Sequence, residues 1–385
     1  MRYFRLSIFA VGCSCFLGTA VAIAGQAGTD YTNLHRQASG LVKAGRFGEA
    51  LAPALEASEL RPSEPATHEL LSTIYSGLGD QGKAVTEARR VAQLRPGDEL
   101  AHYNLALGLQ AQHHYSEALA EFQRAVELGD KAPYARIGKA QCLLTLGKTL
   151  EAIRELEDLS RRFPQEKAVW LNLAHAYLAY QDTRGAYQAV TTAMTLDPDY
   201  VPAIKVKALL EYRGWHFNRA FDWTRRLIQL EPKNPAGYKF AAKIAAHTAW
   251  DGLPGAEWLL AQSLNNLPAC ADVFMSLGTA YRRPAELATD RRKPQSLDRR
   301  LHWQRLAIAA FQQAAHDAPN RADTNLSLAQ MLIQARRFHE ALPYARRALE
   351  LSKTSAEAQE TYRSASRANR DLAGQLRLWL QSLIY

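Results

Sequence analysis

Six alanines recur at a spacing of 34 residues, Ala50, Ala84, Ala118, Ala152, Ala186 and Ala220. Pro62, Pro96, Pro164, Pro198 and Pro232 keep the same interval, with Asp130 in the one vacant slot. A fixed period of that length is the signature of stacked helix–turn–helix units, each burying its apolar face only against its neighbours. It predicts an all-α solenoid with almost no strand. Stacking also removes the size limit that a single core would place on 385 residues. A hydrophobic content of 47% excludes wholesale disorder.

Within each period the apolar residues fall at helical spacing. Trp170, Leu173, Ala174 and Tyr177 share one face of a first helix (helix A), and Ala186, Val190 and Ala193 one face of a second (helix B), before Pro198. His102, Leu105, Ala106, Leu109, Ala118, Phe122 and Ala125 repeat the pattern one period earlier. Small side chains at the eighth and twentieth positions let the two helices cross closely. Proline at the end stops helix B, and glycine at the fifteenth position, as in Gly45, Gly79 and Gly147, suits the turn between helices.

On these residues the chain resembles the tetratricopeptide repeat family, and the resemblance covers nearly everything after the N-terminal segment. It implies a right-handed α-α superhelical solenoid of about nine repeats. The frame places repeats at 31–64, 65–98, 99–132, 133–166, 167–200, 201–234, 235–270, 271–321 and 322–355, with closing capping helices over 356–385.

The N-terminus carries Arg2 and Arg5, an apolar run from Leu6 to Ala24 and the small-residue triplet Ala22-Ile23-Ala24. This is the pattern of a cleaved export signal at 1–24, followed by a linker at 25–30. An uncleaved anchor is the runner-up, and Cys13 in a loose lipobox a third reading. All three place the repeats outside the cytoplasm. Cys142 and Cys270 lie several repeats apart, too far for a disulfide, and read as packing residues. A net charge of +9, or +7 without Arg2 and Arg5, favours an acidic partner without requiring nucleic acid.

Chemistry private to this chain is expected where the period breaks. An insertion at 282–300 holds Arg282, Arg283, Arg291, Arg292, Lys293, Arg299 and Arg300 against Glu286, Asp290 and Asp298. It reads as a basic arm for an acidic or anionic partner, or as a solvated loop. Trp215, Trp223, Trp250 and Trp258 gather in repeats 6 and 7, four of the seven tryptophans, and Trp215 stands where the turn glycine belongs. They read as interface anchors or as packing of irregular turns. At the C-terminus, Leu372, Leu376, Trp379, Leu380, Leu383 and Ile384 form an apolar face that seals the last repeat or mediates self-association through 372–385.

The family resemblance implies a concave groove lined by the helix A faces, which holds extended peptides. Its positions here give Tyr103, Asn104 and Leu107, then Tyr134, Ile137 and Leu144, then Leu171, Asn172 and His175. Further on they give Lys205, Leu209, Tyr212 and Arg213, then Lys239, Phe240, Lys243 and His247. The groove is expected to be apolar and aromatic in the middle and basic toward repeats 6 to 8, which suits a segment with apolar anchors and an acidic portion. The Lys/Asn clamp of the chaperone-binding members is not complete in this chain.

Catalytic motifs do not survive their context. The GxGxxG string at Gly77–Gly82 falls in an interhelical turn with no strand before it. His68-Glu69-Leu70-Leu71-Ser72 lacks the second histidine of a zinc-binding HExxH, and His68 and His102 occupy equivalent packing positions. No CxxC occurs, and the Asn325-Leu326-Ser327 triplet sits on a packed helix. No catalytic residue, metal or cofactor is therefore expected. The sequence points to an exported, non-enzymatic scaffold for protein segments. The alternatives are an adaptor for a membrane or polyanion through the basic arm, and an accessory subunit of a separate enzyme.

Overall fold

The computed structural model describes residues 30–129, 133–247, 255–267, 269–287 and 294–382, and the side chains of 284, 286–297 and 372–382 fall outside that description. The expected signal segment, Trp250, the Arg291-Arg292-Lys293 run and the C-terminal apolar face therefore lie outside the described residues or side chains. All described elements are helices, and no strand occurs among the described residues. The chain divides into two compact units, Met1–Thr192 and Ala193–Tyr385.

The first unit contains α1 (30–43) and α2 (Phe47–Leu60), α3 (Pro65–Gly77) and α4 (Gln81–Leu94), and α5 (Glu99–Ala111) and α6 (Tyr115–Leu128). It continues with α7 (Tyr134–Thr145), α8 (Thr149–Arg162), α9 (Lys167–Ala179) and the first turns of α10 (Thr183–Leu196). The second unit pairs α11 (Val201–Arg213) with α12 (Phe217–Leu230) and α13 (Pro235–His247) with α14 (Ala256–Asn266). It then pairs α15 (Ala271–Leu287) with α16 (Pro294–Asp317) and α17 (Ala322–Gln334) with α18 (Phe338–Leu351). Where capping helices in the plural were expected, one long helix, α19 (Ala356–Ser382), packs on α17 and α18. The run from Ala356 to Ser382 holds no proline or glycine except Gly374, so nothing in it stops the helix at mid-length.

The periodic alanines do what their size allows. Ala50, Ala118, Ala152, Ala220, Ala307 and Ala341 have no exposed surface, and each lies where helix B meets helix A. Beside them Leu71, Leu105, Phe122, Leu156, Phe274 and Phe311 are buried to the same degree, each worth about 1.5–3 kcal/mol of transfer free energy.

Two local devices recur. The first is the interhelical turn. In seven repeats the fifteenth residue is left-handed, with φ of +72°, +81° and +77° at Gly45, Gly79 and Gly147. His113, Gln181, Trp215 and Arg336 take the same conformation at +63°, +66°, +62° and +58° without being glycine. Each non-glycine residue there carries a strain of about 1–2 kcal/mol. The second device is a clamp. The fourth residue of helix A donates to the carbonyl six residues before it, just past the end of the preceding helix B. His68 reaches Pro62 at 2.9 Å, His102 reaches Pro96 at 3.2 Å, and Trp170 reaches Pro164 at 2.8 Å. Tyr238 reaches Pro232 at 2.9 Å, Asn325 reaches Pro319 at 3.1 Å, and Gln359 reaches Lys353 at 3.0 Å. Each acceptor lies two residues past the end of helix B, so the bond ties the connecting turn to the next helix A.

The 282–300 insertion is mostly helix. Helix α15 runs on to Leu287 and α16 starts at Pro294, so repeat 8 has helices of 17 and 24 residues where the following repeat has 13 and 14. The segment contains few helix breakers, and Pro294 takes the first helical position, where it has no hydrogen bond to lose.

Candidate protein-binding surface

In the first unit, α5, α7 and α9 turn a row of side chains to solvent. Tyr134 is 53% exposed, Leu107 41% and, at the start of α5, Leu100 64%. Asn104 and His175 are exposed, while Tyr103 and Leu171 are half-buried. Tyr103 stands edge-on to Phe122 at 5.9 Å, and burial, with Tyr134 beside it, raises its phenol above the usual range.

An amide ladder joins these three successive A helices. Gln110 donates to Gln141 at 3.2 Å, Gln141 to Asn172 at 2.9 Å, and Asn172 to the Ala168 carbonyl at 2.8 Å. Asn172 is therefore a structural rung as well as a groove residue. Ile137, expected in the groove, is buried at 7% exposure. Its neighbour Gly138 lets α7 settle directly on the Phe122 ring, and this close approach withdraws Ile137 from solvent.

An open cleft of about 740 Å³ continues the row toward α3, lined by Phe47, Ser72, Ser76, Val91, Leu100 and Asn104. Arg95 closes its edge by pairing with Glu69 at 2.6 Å. Sequence reasoning missed this cleft. Its signal is the run of small residues Ser72, Thr73, Ser76 and Gly77 on one helix face.

In the second unit, two of the groove cations are engaged. Lys205 pairs with Glu231 at 3.1 Å, and Lys239 lies 3.8 Å from Asp272. Asp272 is held more firmly by Arg321, at 2.6 Å, which also pairs with Asp323 at 2.6 Å. The Arg321 guanidinium keeps both carboxyls below the usual range. Arg213 and Lys243 are exposed, and neither has a carboxylate within ion-pair distance among the described residues. The Lys243 ammonium stands 5.3 Å from the centroid of Tyr212. Tyr212 meets Phe240 edge-on at 5.6 Å and Phe217 at 5.8 Å, and Phe217 stacks on His247 at 6.4 Å. Trp215 projects from the turn above this cluster with 76% of its surface exposed.

Two family models, each described as tetratricopeptide repeat, match residues 109–171 and 305–356, one in each unit. The chain is a tetratricopeptide repeat protein. Proteins of this repeat family serve as protein-interaction scaffolds. Among curated proteins, cell division cycle protein 27 homolog A of Arabidopsis thaliana is 30% identical over 105 residues. That match covers 27% of this chain and only 15% of the relative. Among solved structures, YrrB, "a TPR protein with an unusual peptide-binding site", is 22% identical. It covers 45% of this chain and 90% of its own, with a TM-score of 0.40. PilF of Pseudomonas aeruginosa is 17% identical, covers 57% of this chain and 99% of its own, with a TM-score of 0.45.

The remaining candidate residues of this tetratricopeptide repeat protein fall into place around the helix A faces. His68 and His102 serve the interhelical clamp, and their other ring nitrogens meet Glu87 at 2.6 Å and Glu121 at 2.7 Å. The glycine string at Gly77–Gly82 wraps the α3–α4 turn. Arg283 donates to the Ala246 carbonyl at 2.9 Å, so it caps α13 rather than extending as an arm. Arg282 and Arg300 are half-buried and Arg299 is exposed. Trp223 and Trp258 are half-buried, Trp258 against the core of its unit. Among the described residues no helix is long and apolar enough to cross a membrane, and no cluster of side chains is arranged to hold a metal ion.

Proposed function

We propose that the protein is a non-enzymatic scaffold of the cell envelope that holds extended protein segments against its helix A faces. The observation that carries this reading is the solvent-facing row of Leu100, Asn104, Leu107 and Tyr134 on A helices joined by the Gln110–Gln141–Asn172 ladder. Exposed apolar side chains on helices tied in this way lose little freedom when they are covered, which is what a binding surface needs. The unpaired amide valences along the ladder suit the backbone of an extended chain. Placement in the envelope rests on Arg2, Arg5 and the apolar run to Ala24, and intact-mass analysis of the protein from its own cells tests it: an N-terminus beginning near Gly25 supports export, and a cytoplasmic, unprocessed chain contradicts it.

The binding reading is tested by comparing partner recovery from native membranes by the wild type and by a Leu107→Ser, Tyr134→Ala variant. Loss of about tenfold in recovery at an unchanged melting temperature is expected. Equal recovery of the same partners removes the helix A face from the account. The basic segment offers a second reading, recruitment of a polyanion or an anionic surface, favoured by exposed Arg299. Under that reading, binding collapses with rising salt and with Arg299→Gln, while the Tyr134 variant binds normally.

A further inference from the structure

We propose that the α11–α12 turn is a second docking point, at which Trp215 receives an aromatic or aliphatic side chain of an extended segment while Lys243 and Arg213 take the carboxylates beside it. The inference rests on the scaffold reading and deepens it in the second unit, at the turn edge where Trp215 adjoins residues of the helices α11 and α13.

Three observations converge on this place. The first is conformational. Trp215 holds φ +62° at the position where three other repeats have glycine, so a bulky ring occupies a site that favours the smallest residue. The second is exposure. No large apolar side chain among the described residues is more exposed than Trp215, at 76%. Its ring contact is edge-on to Phe217 at 5.7 Å, and the rest of the ring faces solvent. A strained backbone that displays an uncovered tryptophan gains nothing from packing, which directs attention to what the ring meets outside the molecule.

The third observation is the chemistry around the ring. Phe217, His247, Tyr212 and Phe240 form an interlocked floor, so the tryptophan stands on a fixed base rather than on a mobile loop. The cations of this cluster differ from those further along. Lys205 and Lys239 spend their charge on Glu231 and Asp272. Lys243 and Arg213 have no such partner among the described residues, and Lys243 is held over the Tyr212 face. An aromatic surface flanked by two unneutralised cations complements an apolar residue set between acidic ones. The occupant is therefore an acidic protein segment with one apolar anchor. A second copy of this chain and an anionic bilayer are the competing occupants.

The test uses the full chain and a fluorescein-labelled probe, Gly-Ser-Asp-Asp-Phe-Asp-Asp-Ser-Gly, read by fluorescence anisotropy. Saturable binding is expected, weakened about tenfold by Trp215→Gly and about fivefold by Lys243→Gln, and unchanged by Tyr134→Ala. Trp215→Gly places at this turn the residue that three other repeats use, so the variant folds. A probe with serine for phenylalanine, or asparagine for aspartate, loses binding. The proposal is overturned if the wild type shows no saturable binding up to about 1 mM probe, or if Trp215→Gly binds within twofold of it. Loss on Tyr134→Ala with full binding by Trp215→Gly leaves the helix A reading standing and ends this one. A wild-type dimer that Trp215→Gly dissociates assigns the surface to self-association. Capture of phosphatidylglycerol vesicles through Trp215 without probe binding assigns it to a membrane. Either result replaces the proposed occupant.

Discussion

At the scale of single residues, the left-handed turn position separates what is structural from what is particular to this chain. Gly79, at φ +81°, is there because a side chain would be strained, and Gly79→Ala is expected to cost about 1 kcal/mol in urea unfolding. Trp215→Gly relieves similar strain but gives the unfolded chain more freedom. It should leave stability unchanged or raise it by up to about 1 kcal/mol. A clear loss of stability would show that the indole packs in a way its exposure does not suggest. Cys142 is fully buried, and burial pushes its thiol up to about 11. A thiol-specific reagent at pH 8 should therefore modify the half-buried Cys270 in the native protein and reach Cys142 only on unfolding. These roles were unevenly legible. Glycine at the turn and the packing role of Cys142 followed from the period. Ile137 did not, because its withdrawal depends on how closely α7 settles on Phe122 once Gly138 is in place.

At the scale of helices and their pairing, the interface between α6 and α7 is the most sensitive point. Phe122 has no exposed surface, lies against Gly138 and supports Tyr103. Phe122→Ala should cost about 3–5 kcal/mol and loosen the groove at Tyr103 and Tyr134, which calorimetry and hydrogen exchange would detect together. The clamp between repeats is weaker. His102→Ala removes the donor from the Pro96 carbonyl and the partner of Glu121, at about 1–2 kcal/mol. The Arg321 pairs have a pH signature. Asp272 and Asp323 are held below their ordinary values, so their contribution is complete above about pH 4 and disappears as the pH falls through the lowered values. All three groups are well exposed, and Arg321→Met should lower the melting temperature at pH 7 by no more than about 2 °C. That difference should close in acid, and a gap that stays constant down to pH 2 would contradict the assignment. Helix type was readable throughout, since the 3.6-residue pattern is strong in every repeat. Helix length was not readable in repeat 8, where α15 and α16 extend through charged residues that carry no apolar period. The clamp was equally hidden, because histidine, tryptophan, tyrosine, asparagine and glutamine all fill one role at one position.

At the scale of the whole molecule, the fold and the function were legible to different degrees for a physical reason. Stacking forces the buried positions to repeat, so the period of Ala50 to Ala220 exposes the architecture. Solvent-facing positions are under no such constraint, and there the sequence identifies a surface without identifying what covers it. Pairing of Lys205 with Glu231 and of Lys239 with Asp272 also changes the expected electrostatics, concentrating the unneutralised groove charge at Arg213 and Lys243. Under the proposed function, protein segments lie on the helix A faces. Site-specific photo-crosslinking in living cells tests it most directly, with benzoylphenylalanine placed at Tyr134 on α7 and, as the control, at Arg154 on α8, both exposed positions. Discrete adducts with a protein partner are expected from position 134, reduced by Leu107→Ser, and none from position 154. Adducts from position 154 alone, or equally from both, would contradict it.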